Sequence, residues 1–153
     1  MRKVIFQEWL SMDGYAADEQ GSVRFIESAT LNKYSDLDQL AWLDSIDTIL
    51  PGANTYRLFV EFWPTATNEQ EVIADKINTI PKIVFSKTMD KAPWGKWPEA
   101  KVVKTDAVQA LKELKAKDGK DIVLWGSISL AQDFINANLI DEYHLRIVPV
   151  VLG

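Results

Sequence analysis

The sequence predicts an α/β fold of three layers, a mostly parallel central sheet with helices on both faces, and three observations predict it. Short apolar runs alternate along the chain with segments whose apolar residues recur at helical spacing. Residues 122–125 are continuously apolar, as expected of a parallel strand covered on both faces. Glycine-containing turns, Pro51-Gly52 and Gly126, fall where a strand pattern gives way to a helix pattern.

The elements follow in order. Val4, Ile5 and Phe6 begin the first strand, and the polar stretch from 11 to 22 is a loop long enough to carry function. Leu37, Leu40 and Ala41 recur at helical spacing after Ser35, which with Asp38 forms a capping-box signature and predicts a helix over 36–45. A strand at 46–50 stops at Pro51-Gly52, and a helix opens near Asn54 and runs to Phe62. A third helix over 68–78 precedes a strand at 82–86. A loop holding Pro93, Gly95 and Pro98 leads to a short strand at 101–104, then to a helix over 106–117 with Val108, Leu111 and Leu114 on one face. Asp118-Gly119 ends it, the strand at 122–125 follows, and a helix after Gly126 leads to a last strand over 142–152.

At 153 residues the chain has one domain's worth of length, 1–153, enough to enclose a core without staples. It has no cysteine, which closes thiolate metal sites, disulfides and thiol nucleophiles, and no metal site is expected. A formal net charge of -5, with Lys and Arg dispersed among Asp and Glu, leaves no basic stripe for nucleic acid. No apolar run approaches the roughly 20 residues of a spanning helix, and the start lacks a secretory cleavage pattern, so a cytoplasmic protein away from membranes is expected.

In open α/β sheets, ligands sit at the carboxyl ends of the strands, where strand-to-helix turns present backbone N–H groups and the helix dipole to anions. Three turns have the chemistry. Gly126-Ser127-Ile128-Ser129 combines a glycine that admits close approach with two hydroxyls at a helix start. Gly52-Ala53-Asn54-Thr55 offers a hydroxyl and its own N–H. Ser86-Lys87-Thr88 flanks one cation with two hydroxyls, suited to a phosphate monoester. Each has a plain alternative, as turn glycine, helix cap or solvated loop. The fingerprint G-x-G-x-x-G and the P-loop are absent, which disfavours a standard Rossmann site.

Four segments carry a family resemblance. Ser11-Met12-Asp13-Gly14-Tyr15-Ala16-Ala17, Gly52-Ala53-Asn54-Thr55-Tyr56, Lys82-Ile83-Val84-Phe85-Ser86-Lys87-Thr88, and Leu139-Ile140-Asp141-Glu142 through Pro149-Val150-Val151-Leu152-Gly153 occur in order across the whole chain. Together they resemble the C-terminal reductase domain of riboflavin biosynthesis proteins (RibD C-terminal-like), of the dihydrofolate reductase-like fold. The resemblance implies an NADPH-dependent reductase, with NADH as the lesser alternative, acting on a small pyrimidine- or pterin-like heterocycle as a 5-amino-6-(5-phosphoribosylamino)uracil reductase does. It implies that Ala16 and Ala17 lie near the nicotinamide and that Thr55, Gly126, Ser127, Ile128 and Ser129 surround the diphosphate. Ser86, Lys87 and Thr88 would hold the adenosine end with its 2'-phosphate. Tyr15, Phe25 and Trp42, with Trp63, would stack on the substrate, and Asp13 and Asp38 are the candidate catalytic carboxylates.

The departures matter as much. Ala53 stands where the family commonly has arginine, leaving Lys87 to carry the preference for NADPH. The position on the first helix that best matches the pterin-binding carboxylate of dihydrofolate reductases is Gln39, which counts against dihydrofolate reductase proper. A nucleotide-binding module without turnover is therefore the alternative from another class. A serine hydrolase using Ser127 or Ser129 with His144 and Asp141 lacks the G-x-S-x-G elbow. The family usually continues through two more strands beyond residue 153, so the last strand would be an open sheet edge; either a partner covers it, as in a homodimer, or the chain is truncated there.

Overall fold

A computed structural model of the chain describes residues 1–28 and 33–153. Seven strands make up its sheets: β1 (Val4–Ser11), β2 (Ile46–Pro51), β3 (Ile83–Phe85), β4 (Ala92–Trp94), β5 (Trp97–Val103), β6 (Asp121–Trp125) and β7 (Glu142–Val148). The helices are α1 (Lys33–Leu43), α2 (Ala53–Phe62), α3 (Ala74–Thr79), α4 (Ala107–Lys115) and α5 (Ile128–Asn136). Four strands pair in parallel in the order β2-β6-β1-β7. A three-stranded sheet, β3-β5-β4, continues them through parallel bridges from Ile49 to Lys82 and from Gly52 to Phe85. Among the described residues only the β4–β5 hairpin runs antiparallel.

Strand alternation sorts the core onto two faces. Val4, Phe6, Leu50, Ile122 and Leu124 pack with Leu111, Leu130 and Phe134 beneath α4 and α5. Their neighbours Ile5, Ile49, Val123 and Trp125 pack with Leu43, Tyr56 and Ile77 beneath α1, α2 and α3. The three-layer arrangement with helices on both faces is thus the one the sequence predicts.

Several boundaries differ from the sequence reading, each for a local reason. Helix α1 spans Lys33–Leu43 rather than 36–45, so Ser35 lies in its first turn and not ahead of it. It closes early because Ser45 N donates to Trp42 O at 2.9 Å and Ser45 Oγ to the same carbonyl at 2.7 Å. Helix α3 begins six residues later than expected, at Ala74 instead of 68. The intervening residues are held in turns by side chains: Asp75 N donates to Asn68 Oδ1 at 3.0 Å, and Thr67 N to Gln70 Oε1 at 3.0 Å. Strand β4 and the first half of β5 occupy what the prolines marked as loop. Pro93 and Pro98 sit between the paired positions Ala92↔Ala100 and Trp94↔Trp97, where the register is irregular, so no ladder hydrogen bond requires their missing N–H. Finally, β7 ends at Val148 because Pro149 follows, and residues 152 and 153 turn back to donate their N–H groups to the Asp13 carboxylate. Strand β7 lies at the edge of its sheet and leaves Tyr143, Leu145 and Ile147 half-exposed on the α4–α5 face. Among the described residues no helix is long and apolar enough to cross a membrane.

Candidate active site

The strand pairing brings the three sequence-predicted turns to one edge of the sheet. Pro51 pairs with Trp125 and Gly52 bridges Phe85, so the residues following β3, β2 and β6 emerge side by side at the carboxyl ends of adjacent strands. Two of the turns touch. A Cβ on Gly126, whose φ is +60°, would meet Thr55 Oγ1 at 2.3 Å, and a Cβ on Gly52 would meet the Ser127 Cβ at 2.0 Å. Both positions therefore require glycine so that the turns can close against each other. Helices α2 and α5 both start here, and neither N-cap residue, Gly52 or Ser127, makes a side-chain capping bond. By contrast, Asp106 caps α4 through Gln109 N at 2.8 Å. The first N–H groups of two helices, one on each face of the sheet, thus start from adjoining turns without a side-chain cap, which suits an anion.

In the third turn, Ser86 Oγ accepts from Thr88 N at 3.3 Å and Met89 N at 3.2 Å, fixing the loop. Lys87 is exposed, with no ion-pair partner among the described residues. The donor set, two uncapped helix starts with one lysine and several hydroxyls beyond, fits a nucleotide diphosphate and a further phosphate.

Thr55 and Gly126 also line a cavity of about 310 Å³ that continues from these turns. Thr55, Leu58, Phe59 and Phe62 form one wall, spaced along a single face of α2. Trp9, Trp63 and Trp125 add aromatic surface, with Phe59 packed edge-on against Trp125 at 5.9 Å between ring centres. The floor is a polar network. Gln7 and Gln39 exchange amide hydrogen bonds, Gln39 Nε2 donating to Gln7 Oε1 at 2.9 Å and Gln7 Nε2 to Gln39 Oε1 at 3.2 Å. Trp125 Nε1 donates to Gln7 Oε1 at 2.6 Å, and Arg146 donates to Gln39 Oε1 with its guanidinium 5.0 Å from the centre of the Trp9 ring. This explains glutamine at 39: a carboxylate there would oppose acceptor to acceptor at Gln7 Oε1.

Asp36, Glu71 and Glu8 supply the acidic groups of the lining. Burial raises the Glu71 carboxyl above its ordinary value, and the nearby Asp36 charge raises it further. Burial likewise raises Glu8. Arg146 is lowered by burial, with Asp36 and then Asp38 opposing that shift.

The other sequence-predicted residues lie apart from this cavity. Asp38 is exposed and absent from the lining; Asp36, one helical turn before Gln39 and on its face, is the α1 carboxylate that reaches the cavity. Asp13 is held down to about 2, first by a hydrogen bond with Ser11 and then by the Gly153 N–H, and it anchors residues 152 and 153. Tyr15 is exposed on the loop after β1, where Ala16 and Ala17 are partly buried. Phe25 belongs to a short 3-10 helix whose neighbours Val23 and Ile26, and not Phe25, line the cavity. Trp42 packs on the core and against His144, the rings tilted by 50° with 5.2 Å between their centres. Ser129 and Ile128 are exposed in the first turn of α5. The hydrolase constellation is not assembled: Asp141 accepts from Val4 N at 2.7 Å and from Lys115 Nζ at 2.5 Å, whereas His144 Nε2 lies 3.3 Å from Glu142. The sequence reading missed Gln7, Asp36, Glu71 and Arg146. For the α2 wall a signal existed, the i, i+3, i+4, i+7 spacing of Thr55, Leu58, Phe59 and Phe62.

A three-layer α/β sheet with a cleft at the carboxyl ends of its strands, of the dihydrofolate reductase-like type, is what the fold defines. The chain belongs to the RibD C-terminal domain family, whose model matches residues 2–153. It is 29% identical over 154 residues to YyaP of Bacillus subtilis (strain 168), itself uncharacterised, covering 99% of this chain and 77% of the relative. Among solved structures, a protein of Shewanella sp. PV-4 described under riboflavin biosynthesis superposes with a TM-score of 0.74 at 27% identity, over 99% of this chain and 79% of that one. The diaminohydroxyphosphoribosylaminopyrimidine deaminase/5-amino-6-(5-phosphoribosylamino)uracil reductase of Thermotoga maritima shares the fold, with a TM-score of 0.62 at 15% identity over 99% of this chain and 46% of that one.

Proposed function

We propose that this protein is an NADPH-dependent reductase that delivers hydride to a small, flat heterocycle of pyrimidine or pterin type, a reaction of the kind named for the Thermotoga neighbour. The observation that carries this reading is that Thr55 and Gly126 belong both to the paired helix starts and to the wall of the aromatic cavity, so nucleotide and substrate would meet there. The nicotinamide cofactor, when bound, supplies the hydride.

The residues of the chain bind and orient. The first N–H groups of α2 and α5, with Thr55, Ser127 and Ser129, hold the diphosphate. Ser86, Lys87 and Thr88 hold the adenosine end, Lys87 by pairing with the 2'-phosphate. Ala16 and Ala17, small side chains on the loop after β1, admit the nicotinamide. The aromatic walls exclude water and fix the plane of the substrate, which is the contribution of proximity and orientation.

Titration with NADPH and, separately, NADH tests the proposal, followed by quenching of tryptophan emission from Trp9, Trp63 and Trp125 at the cavity. NADPH is expected to bind, and Lys87→Ala to weaken NADPH more than NADH. Folded protein that binds neither nucleotide would overturn the reading. A nucleotide-binding module is the second reading, favoured by the engagement of Gln39 in a buried amide pair. Nucleotide binding with no substrate-dependent oxidation across pyrimidines and pterins would select it.

A further inference from the structure

The cavity carries information about its substrate in its charges. Of the described residues that line it, Glu8, Asp36 and Glu71 are acidic and only Arg146 is basic. The guanidinium of Arg146 donates to Gln39 Oε1 and lies over the Trp9 ring. Asp36 acts electrostatically on both Glu71 and Arg146. Asp36 and Glu71 both line the cavity, so two carboxyl groups share it. Two like charges lining one cavity repel, and a positive group placed between them removes that repulsion. The rest of the lining is largely apolar, and in it Trp9, Phe59, Trp63 and Trp125 offer ring surface to a flat cation.

We infer that the cleft selects a flat amino-substituted heteroaromatic that is positively charged, or presents a donor edge to Asp36 and Glu71, and that carries no phosphate. This deepens the reductase reading and rests on it in taking the cavity as the substrate's place. It separates this chain from a phosphoribosyl-bearing substrate such as the one named for the Thermotoga enzyme, whose dianionic phosphate would enter a space in which carboxylates outnumber cations among the described lining residues.

Three probes of known charge test it by calorimetric titration into the whole chain: 4-aminoquinoline, a flat cation at neutral pH; its uncharged 4-hydroxy counterpart; and uridine 5'-monophosphate. The cation is expected to bind roughly tenfold or more tightly than the neutral compound, the worth of one hydrogen bond to a charged group. Asp36→Asn and Glu71→Gln, each shown by circular dichroism and thermal melting to be folded, are each expected to remove most of that preference. Uridine 5'-monophosphate is expected not to compete. Tighter binding of the nucleotide than of the cation, no binding of the cation, or a preference untouched by both substitutions would overturn the inference. NADPH titration without any probe judges the reductase reading separately: loss of cofactor binding with charge selectivity intact would sink that reading and leave the selectivity standing.

Discussion

The half of the candidate site proposed to hold phosphate consists of three turns, each a few consecutive residues long, whereas the cleft beside it draws Gln7, Asp36, Glu71, Trp125 and Arg146 from five separate parts of the chain. The turns owe their chemistry to backbone: glycines that let Gly52 approach Ser127 and Gly126 approach Thr55, and helix starts without side-chain caps. The cleft owes its chemistry to side chains that satisfy one another across β1, β6, β7 and α1. Backbone devices tolerate little substitution at the glycines and much elsewhere. Side-chain networks spread their sensitivity over many positions.

This contrast orders the expected effects. Gly52→Ala is the most damaging, since its Cβ would lie 2.0 Å from that of Ser127 and force the two turns apart. It is expected to cost roughly 1–3 kcal/mol in urea unfolding and to abolish NADPH quenching. A variant of normal stability and normal affinity would break the distinction drawn here.

The next effect concerns the scaffold outside both halves and serves as its control. Lys82 is buried, its ammonium 4.5 Å from the Trp94 ring centre and donating to the carbonyls of Asn78 and Ile80, and burial lowers it from 10.5 to about 8. Between those values the native lysine has released its proton while the unfolded one retains it. The unfolded state then binds more protons, and stability rises with pH through that window. The difference in unfolding free energy between the wild-type protein and Lys82→Met isolates this contribution from other groups. A difference that stays flat from pH 8 to 10.5 would contradict it, and nucleotide affinity is expected to be unchanged.

Smaller still is Trp125→Phe, which keeps the aromatic wall and removes the donor to Gln7 Oε1, at about 1 kcal/mol. It is expected to shift substrate-analogue binding more than NADPH binding, sharpening the separation of the two halves; equal losses would blur it. Lys87→Ala is expected to have the smallest effect, because an exposed cation contributes about 1 kcal/mol or less. Competition between NADPH and NADH reads it, and a change of equal size for both would remove the 2'-phosphate from its assignment.

Legibility followed the same divide. Gly126-Ser127 and Gly52 through Thr55 were readable as strand-to-helix turns because a glycine, a hydroxyl and a change of hydrophobic period fall within a few residues. Residues 68–73 read as helix by their spacing but are turns, because Thr67, Asn68 and Gln70 hold them by side-chain bonds that helical periodicity does not register. The hairpin of β4 and β5 was hidden by Pro93 and Pro98, whose tolerance depends on register with a partner strand. Among carboxylates on α1, Asp38 is the sequence candidate, yet the cavity is reached from Asp36.

By itself the sequence determined the three-layer α/β plan, the glycine turns at the strand ends and the absence of thiol chemistry, because these depend on composition, period and neighbours along the chain. Only the tertiary structure decided that Gln7, Gln39, Trp125 and Arg146 form one network, that Thr55 meets Gly126, and that Asp36 and Glu71 share a cavity. The physical reason is that strand order and register fix which distant side chains become neighbours, and those are set by the packing of both cores together.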